Sequence, residues 1–214
     1  MSKFLQKNSS YLNQNSQLFG NEIILELDES FSGNLSSFQN QICNCHNCPL
    51  GQTRTNFVFG EGDPNAELLI VGEAPGEKED LEGRPFVGRS GQLLDKILLA
   101  INRNRQKGTY ICNIIKCRPP SNRNPNREEI DQCLPFLKHQ INLVKPKLIV
   151  ALGLVAAKNL LNIESSLKDL RGKVHSFNNV PLIVTYHPAF LLRSPGFKKE
   201  AWVDFQKIRD FLKD

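Results

Sequence analysis

The sequence predicts an α/β fold in which a mostly parallel sheet is covered by helices on both faces. Three observations carry this. Four short apolar runs, at 67–72, 109–115, 147–153 and 180–185, have the length of strands. Between them, apolar residues recur at helical spacing. Strands that alternate with helices pair in parallel, because a parallel neighbour needs a long crossover.

The elements follow in order. Residues 1–40 are rich in Asn and Ser and read as an N-terminal extension with one short helix and no recognisable chemistry. Residues 41–214 read as one domain. The run at 67–72 ends in Gly72 and leads into a loop at 73–89 rich in Gly and Pro. Ser90 is placed to cap a helix with Leu93, Leu94, Ile97, Leu98 and Ile101 on one face. The second strand, 109–115, is followed by a loop at 118–125 and a second helix. There Asn126 and Glu129 suit a variant of the capping box, and Ile130, Cys133, Leu134, Leu137 and Ile141 form the apolar face. The third strand, 147–153, precedes a helix at 154–161. The fourth, 180–185, stops before Tyr186, His187 and Pro188, and a last helix covers 198–212. In such sheets reactive residues gather at the carboxyl ends of the strands. That selects the loop at 73–89, the segment after Asn113 and the loop at 187–195.

Charge narrows the partners only a little. Lys plus Arg number 27 against 22 Asp plus Glu, a formal charge of +5. This permits an anionic partner without demanding one. Distribution says more, since no acidic residue lies between Asp95 and Glu128. That window holds Lys96, Arg103, Arg105, Lys107, Lys116, Arg118, Arg123 and Arg127. It suits a phosphate-facing surface, although on charge alone a solvated face is the favoured reading. Lys3 and Lys7 are not followed by an apolar run, and no stretch is apolar enough to span a bilayer. A cytoplasmic location without a membrane partner is therefore expected. In a reducing compartment six cysteines point to metal ligation or burial rather than to disulfides.

Cys45 and Cys48 form a close pair, and Cys117 and Cys133 a wide one. Zinc knuckles usually show two tight pairs, whereas a [4Fe–4S] cubane takes one thiolate per iron from any direction. Spacing leaves both open, with the cluster slightly ahead. Cys112, inside the second strand, reads as a buried hydrophobe, and neither Cys43 nor His46 is expected to be a ligand. Gly72 and Gly76 shape a turn that would let a substrate approach the backbone. The acidic Glu77, Glu79, Asp80 and Glu82 suit a solvated loop. Phe86 lies in a loop, where a Phe is usually core, but a flipped base needs such an aromatic face to stack upon. Asn113, in an otherwise apolar strand, presents a donor and an acceptor; a structural bond to backbone accounts for it equally well, but the pattern is also the complement of uracil's N3–H and O4. A lone His187 before Pro188 is more often structural than catalytic, and gains interest only beside the others.

Together these segments resemble the family-four, iron–sulfur uracil-DNA glycosylases. The resemblance rests on Cys45 and Cys48 with Leu50 and Arg54; on the stretch from Gly72 to Gly76 with Glu79 and Asp80; and on Gly83, Pro85, Phe86, Gly88, Ser90 and Gly91. It continues through Asn113, Lys116, Cys117, Asn122 and Arg123, then Cys133, then His187, Pro188, Ala189, Leu191, Leu192 and Arg193. It runs from about residue 43 to the C-terminus and leaves out residues 1–40. It implies a three-layer α/β/α sandwich with a four-stranded sheet, uracil-DNA glycosylase-like. It also implies a monomeric hydrolase of base excision repair, acting on uracil-containing DNA to release uracil and leave an abasic site. A structural [4Fe–4S] cluster would be held by Cys45, Cys48, Cys117 and Cys133. Phe86 would stack on uracil, Asn113 would read its edge, and Glu79 would crowd C5 against thymine. His187 would donate a hydrogen bond to the departing base. Ala74 stands where better-known uracil glycosylases place an Asp, so Glu73 and Asn122 are the candidates for orienting water. Arg123 would face DNA, and Leu191, Leu192 and Arg193 would enter the helix. A DNA-binding module without activity, an electron carrier and a zinc-dependent nucleotide hydrolase are the competing readings.

Overall fold

The computed structural model describes residues 33–213. Contacts divide the chain into two units, Met1–Gln41 and Ile42–Asp214. Helix α1 (Leu35–Ile42) lies at the boundary. The remainder of the 1–40 extension lies outside the described residues.

The second unit is built on a six-stranded sheet of order β1-β3-β2-β4-β6-β5. Its centre is the expected parallel group: β2 (Leu68–Gly72), β3 (Thr109–Asn113), β4 (Leu148–Leu152) and β6 (Val180–Thr185). Every residue of the first three is buried, which is why they read as unbroken apolar runs. Each edge carries one antiparallel strand that the sequence did not announce. β1 (Glu61–Gly62) pairs with β3, and β5 (Val174–Phe177) pairs with β6. The sheet is therefore two strands wider than the expected four.

Alternation along the strands feeds two cores. Leu68, Ile70, Ile111, Leu148, Val150, Leu152 and Ile183 point to one face. There they meet Leu94 and Leu98 of α4 (Arg89–Ala100) and Phe205 and Ile208 of α9 (Lys198–Phe211). Helices α5 (Arg127–Val144) and α6 (Leu154–Leu161) pack against β3 and β4. The result is a three-layer α/β/α sandwich.

Three local expectations meet the structure differently. The capping box is present: the Asn126 side chain accepts from Glu129 N, and Glu129 Oε2 accepts from Asn126 N, both at 2.8 Å. Ser90 does not cap α4; the cap position is Gly88, and the Glu79 carboxylate takes its N–H. The acidic run is not a solvated loop but helix α3 (Glu77–Glu82). In it Asp80, 3% exposed, accepts the backbone N–H groups of Thr55 and Asn56.

Candidate active site

Crossovers leave β2 toward β3 and β4 toward β6, so the strand order diverges between β2 and β4. A crevice opens at such a point, beyond the carboxyl ends of the strands. Here it is a pocket of about 580 Å³, lined from four strand ends by Glu73, Asn113, Gly153 and His187, among others.

Its floor is set by Gly72. A Cβ at this position would stand 2.4 Å from Asn113 Oδ1 and 2.5 Å from Phe86 Cζ. Only glycine lets the amide and the ring meet there, so this glycine serves the approach of two side chains rather than of substrate to backbone. Asn113 is 2% exposed, and its Oδ1 has no hydrogen-bond partner. Leaving a buried acceptor unsatisfied costs roughly 1–3 kcal/mol, so the pocket is built for a donor still to arrive. Phe86 is in the left-handed region (φ 54°) and its ring stacks on His187, with centroids 5.5 Å apart.

His187 is the N-cap of α8 (Pro188–Arg193), a short helix where the sequence suggested a loop. Its Nδ1 accepts the Ala189 N–H at 3.1 Å. The proton of a neutral ring is therefore on Nε2. Burial, and then the charge of Arg193, push the pKa down to about 4. At neutral pH the pocket thus holds an uncharged imidazole with an Nε2–H donor. Gly153, with φ 88°, lets β4 pass beneath it, since a Cβ there would meet His187 Cβ at 3.1 Å.

The profile of the Uracil DNA glycosylase superfamily matches residues 59–206. The type-4 uracil-DNA glycosylase of Pyrobaculum aerophilum is 45% identical over 181 residues, covering 81% of this chain and 90% of that protein. The type-4 enzyme of Thermotoga maritima is 42% identical over 173 residues, covering 79% and 90%. A type-5 uracil-DNA glycosylase of Pyrobaculum aerophilum is 29% identical over 191 residues, covering 74% and 84%. The chain belongs to the uracil DNA glycosylase superfamily.

The structure brings together most of the residues that the sequence singled out for this family's chemistry. Glu73, Ala74, Glu79, Phe86, Asn113, Asn122, Arg123, His187 and Arg193 all line the one pocket. Burial raises the Glu73 carboxyl above its ordinary range. Asn122 is exposed, and its Oδ1 accepts from Arg118 Nε at 2.9 Å. Glu79 Oε1 accepts the N–H groups of Val87 and Gly88, each at 2.9 Å, so this carboxylate secures the loop that carries Phe86. Leu191 is a correction. It is 1% exposed and packed with Tyr186 and Ala201, so in this conformation its side chain belongs to the core and is not presented for insertion. Leu192 is half-buried and Arg193 is exposed beside it.

The basic window is neither a free phosphate-facing stripe nor a wholly solvated face. Arg103 pairs with Glu67, Arg127 with Asp131, and Arg123 with Glu129. The Lys116 side chain is fully buried and donates from Nζ to the backbone carbonyl of Asn113 at 2.9 Å. Arg105 is 7% exposed and faces inward. Side chains held this way are not a free phosphate-binding stripe. Sequence reasoning also missed Leu152, Gly153, Leu154 and Val155 of the pocket. They sit at the end of β4, and the carboxyl-end rule would have found them had it been applied to that strand.

Away from this pocket, Cys45, Cys48, Cys117 and Cys133 line a second, narrow one with Arg54, Phe57 and Phe136. Cys43 and His46 do not line it, and Cys112 is buried in β3. Arg54 Nη1 donates to Cys45 O at 2.6 Å and to Cys117 Sγ at 3.3 Å. Burial pushes the Cys133 thiol up to about 12. Among the described residues no group of three or more His, Cys, Asp or Glu is arranged to hold a single metal ion.

Proposed function

We propose that this chain excises uracil from DNA by hydrolysing its N-glycosidic bond, and that Cys45, Cys48, Cys117 and Cys133 hold a [4Fe–4S] cluster. The observation that carries the activity is the buried, partnerless Oδ1 of Asn113 beside Phe86 and His187. Uracil cannot reach this pocket from within a duplex, so the nucleotide must swing out of the stack. Asn113 Oδ1 then accepts from uracil N3–H, and its amide NH₂ donates to O4. Phe86 stacks against the ring. Cytosine offers an acceptor at N3 and a donor at N4, so it would leave both partners of Asn113 unpaired.

As the bond from C1′ to N1 breaks, its electron pair moves into the uracil ring and onto O2. His187 Nε2–H donates to that oxygen. Because the imidazole is neutral, it stabilises the anion through a hydrogen bond without giving up its proton. Water adds to C1′ and loses a proton. Glu73 is the residue that suits this step, since the Asn122 oxygen already serves Arg118. Arg193 lines this pocket and Leu192 the cleft that shares Glu79 and Ser90 with it, where they would meet the DNA backbone and the vacated stack.

The cysteine pocket supports the cluster through its donor chemistry. Four thiols line one narrow pocket, and a cubane takes one thiolate per iron. When bound, such a cluster would tie the Cys45–Cys48 segment to Cys117 and to Cys133 of α5 and so stabilise the fold around the site.

The test is a labelled oligonucleotide with one uracil, incubated with purified, cluster-loaded protein and then treated with alkali. Scission at uracil and none at thymine in a matched strand is expected. Absence of scission by folded protein with the visible absorbance of a cluster would leave a DNA-binding module as the reading. The pH profile makes a second demand. With the His187 pKa depressed to about 4, the ring stays neutral as pH falls through 6.5. Single-turnover excision should therefore show no His187-dependent step through that range, and the first loss at lower pH should be that of Glu73, whose carboxyl burial raises above its ordinary range. A midpoint near 6.5 that vanishes in a His187 variant would contradict the neutral-donor role.

A further inference from the structure

Phe86 offers its ring to a base only while its backbone keeps a conformation that bulky L-residues avoid, at φ 54°. Such a conformation persists only where the surroundings over-determine it. Three neighbours do so. Glu79 holds the next two backbone N–H groups. Gly91 clears room, since a Cβ there would lie 1.6 Å from Phe86 O. The third is Arg105, from the segment between α4 and β3. Its Nη1 donates to Pro85 O at 2.7 Å and its Nη2 donates to Phe86 O.

The guanidinium is itself aimed. Its Nε donates to Asp95 Oδ1 at 2.7 Å, and Nη1 lies 3.4 Å from Glu61 Oε2. A planar fork satisfies two successive carbonyls and a carboxylate at once, which the single point charge of lysine cannot do. We propose that Arg105 is a positioning residue for base excision. It fixes the Pro85–Phe86 carbonyls so that the Phe86 ring stands ready for the extruded base. The inference rests on the reading of this pocket as a uracil site.

The experiment is single-turnover excision from a uracil oligonucleotide, with its Kd and the thermal midpoint measured separately. It compares wild type, Arg105→Gln, Arg105→Lys, Phe86→Ala and the double variant Arg105→Gln/Phe86→Ala. Arg105→Gln is expected to slow excision about 10²-fold, the size of loss that a small misplacement produces, with Kd changed less than about threefold. Arg105→Lys should fall between it and wild type. In the Phe86→Ala background the same change should cost less than about threefold, because the ring that Arg105 positions is gone. Equal losses in both backgrounds, or full activity in Arg105→Gln, would overturn the positioning role and leave the uracil reading standing. No excision by wild type would overturn both. If Arg105→Gln does not fold, Asp95→Asn carries the test. It touches only the outer edge of the fork, and its smaller loss should likewise vanish without Phe86.

Discussion

Asn113→Leu is expected to cost uracil excision on the order of 10⁴-fold, and Asn113→Asp to admit cytosine at a low rate. The magnitude follows from the site's construction. A pocket built around a specific hydrogen-bond pattern rejects the wrong pattern by roughly 10⁴ to 10⁵, because buried groups are left unpaired. Asn113 is 2% exposed and its Oδ1 finds no partner within the protein. An aspartate there is buried beside the Phe86 ring, and burial favours its protonated form. The acid then has one O–H donor and one carbonyl acceptor, which complement N3 and the N4 amino group of cytosine. Turned the other way, the same acid complements N3–H and O4 of uracil, so this variant should act on both bases. Single-turnover rates on oligonucleotides carrying uracil or cytosine decide this. A Leu variant that keeps uracil excision within about tenfold would show that Asn113 does not read the base edge.

His187→Ala is expected to slow excision by about 10²–10³-fold, the usual loss for one preorganised donor facing developing negative charge. Two effects are superimposed and must be separated. Nδ1 of His187 also accepts the Ala189 N–H and so caps α8. Loss of such a cap costs about 0.5–2 kcal/mol of stability. At a temperature well below the midpoint that leaves the protein folded, so it cannot produce the kinetic loss. The prediction is thus a slower chemical step, a modestly lower melting temperature and an almost unchanged oligonucleotide Kd. A rate loss matched by an equal loss of binding would assign His187 to recognition rather than to the departing base.

The four central strands were legible because three are buried along their whole length and the fourth over its last four residues, so apolar residues dominate each. The edge strands were not. β1 has two residues, and β5 has the burial pattern of a mostly exposed ribbon, so neither leaves a periodic signal. α8 was read as loop because six residues opening on Pro188 are too few to display helical spacing. Leu191 illustrates a different limit. Its neighbours suit a DNA wedge, yet one residue of the three faces inward, and only the packing of Tyr186 and Ala201 selects which.

By itself the sequence determined the layered α/β class, the capping box at Asn126, and the residue types that meet in the pocket. Periodicity, capping and donor–acceptor identity are local properties, so they survive in a linear string. The tertiary structure alone decided that Gly72 lets Asn113 and Phe86 meet, that Lys116 and Arg105 face inward rather than toward phosphate, and that the four cysteines line one pocket. These depend on contacts between residues tens of positions apart. The direction of a buried cation is set by whichever carbonyls the fold leaves without another donor, and no local pattern encodes that.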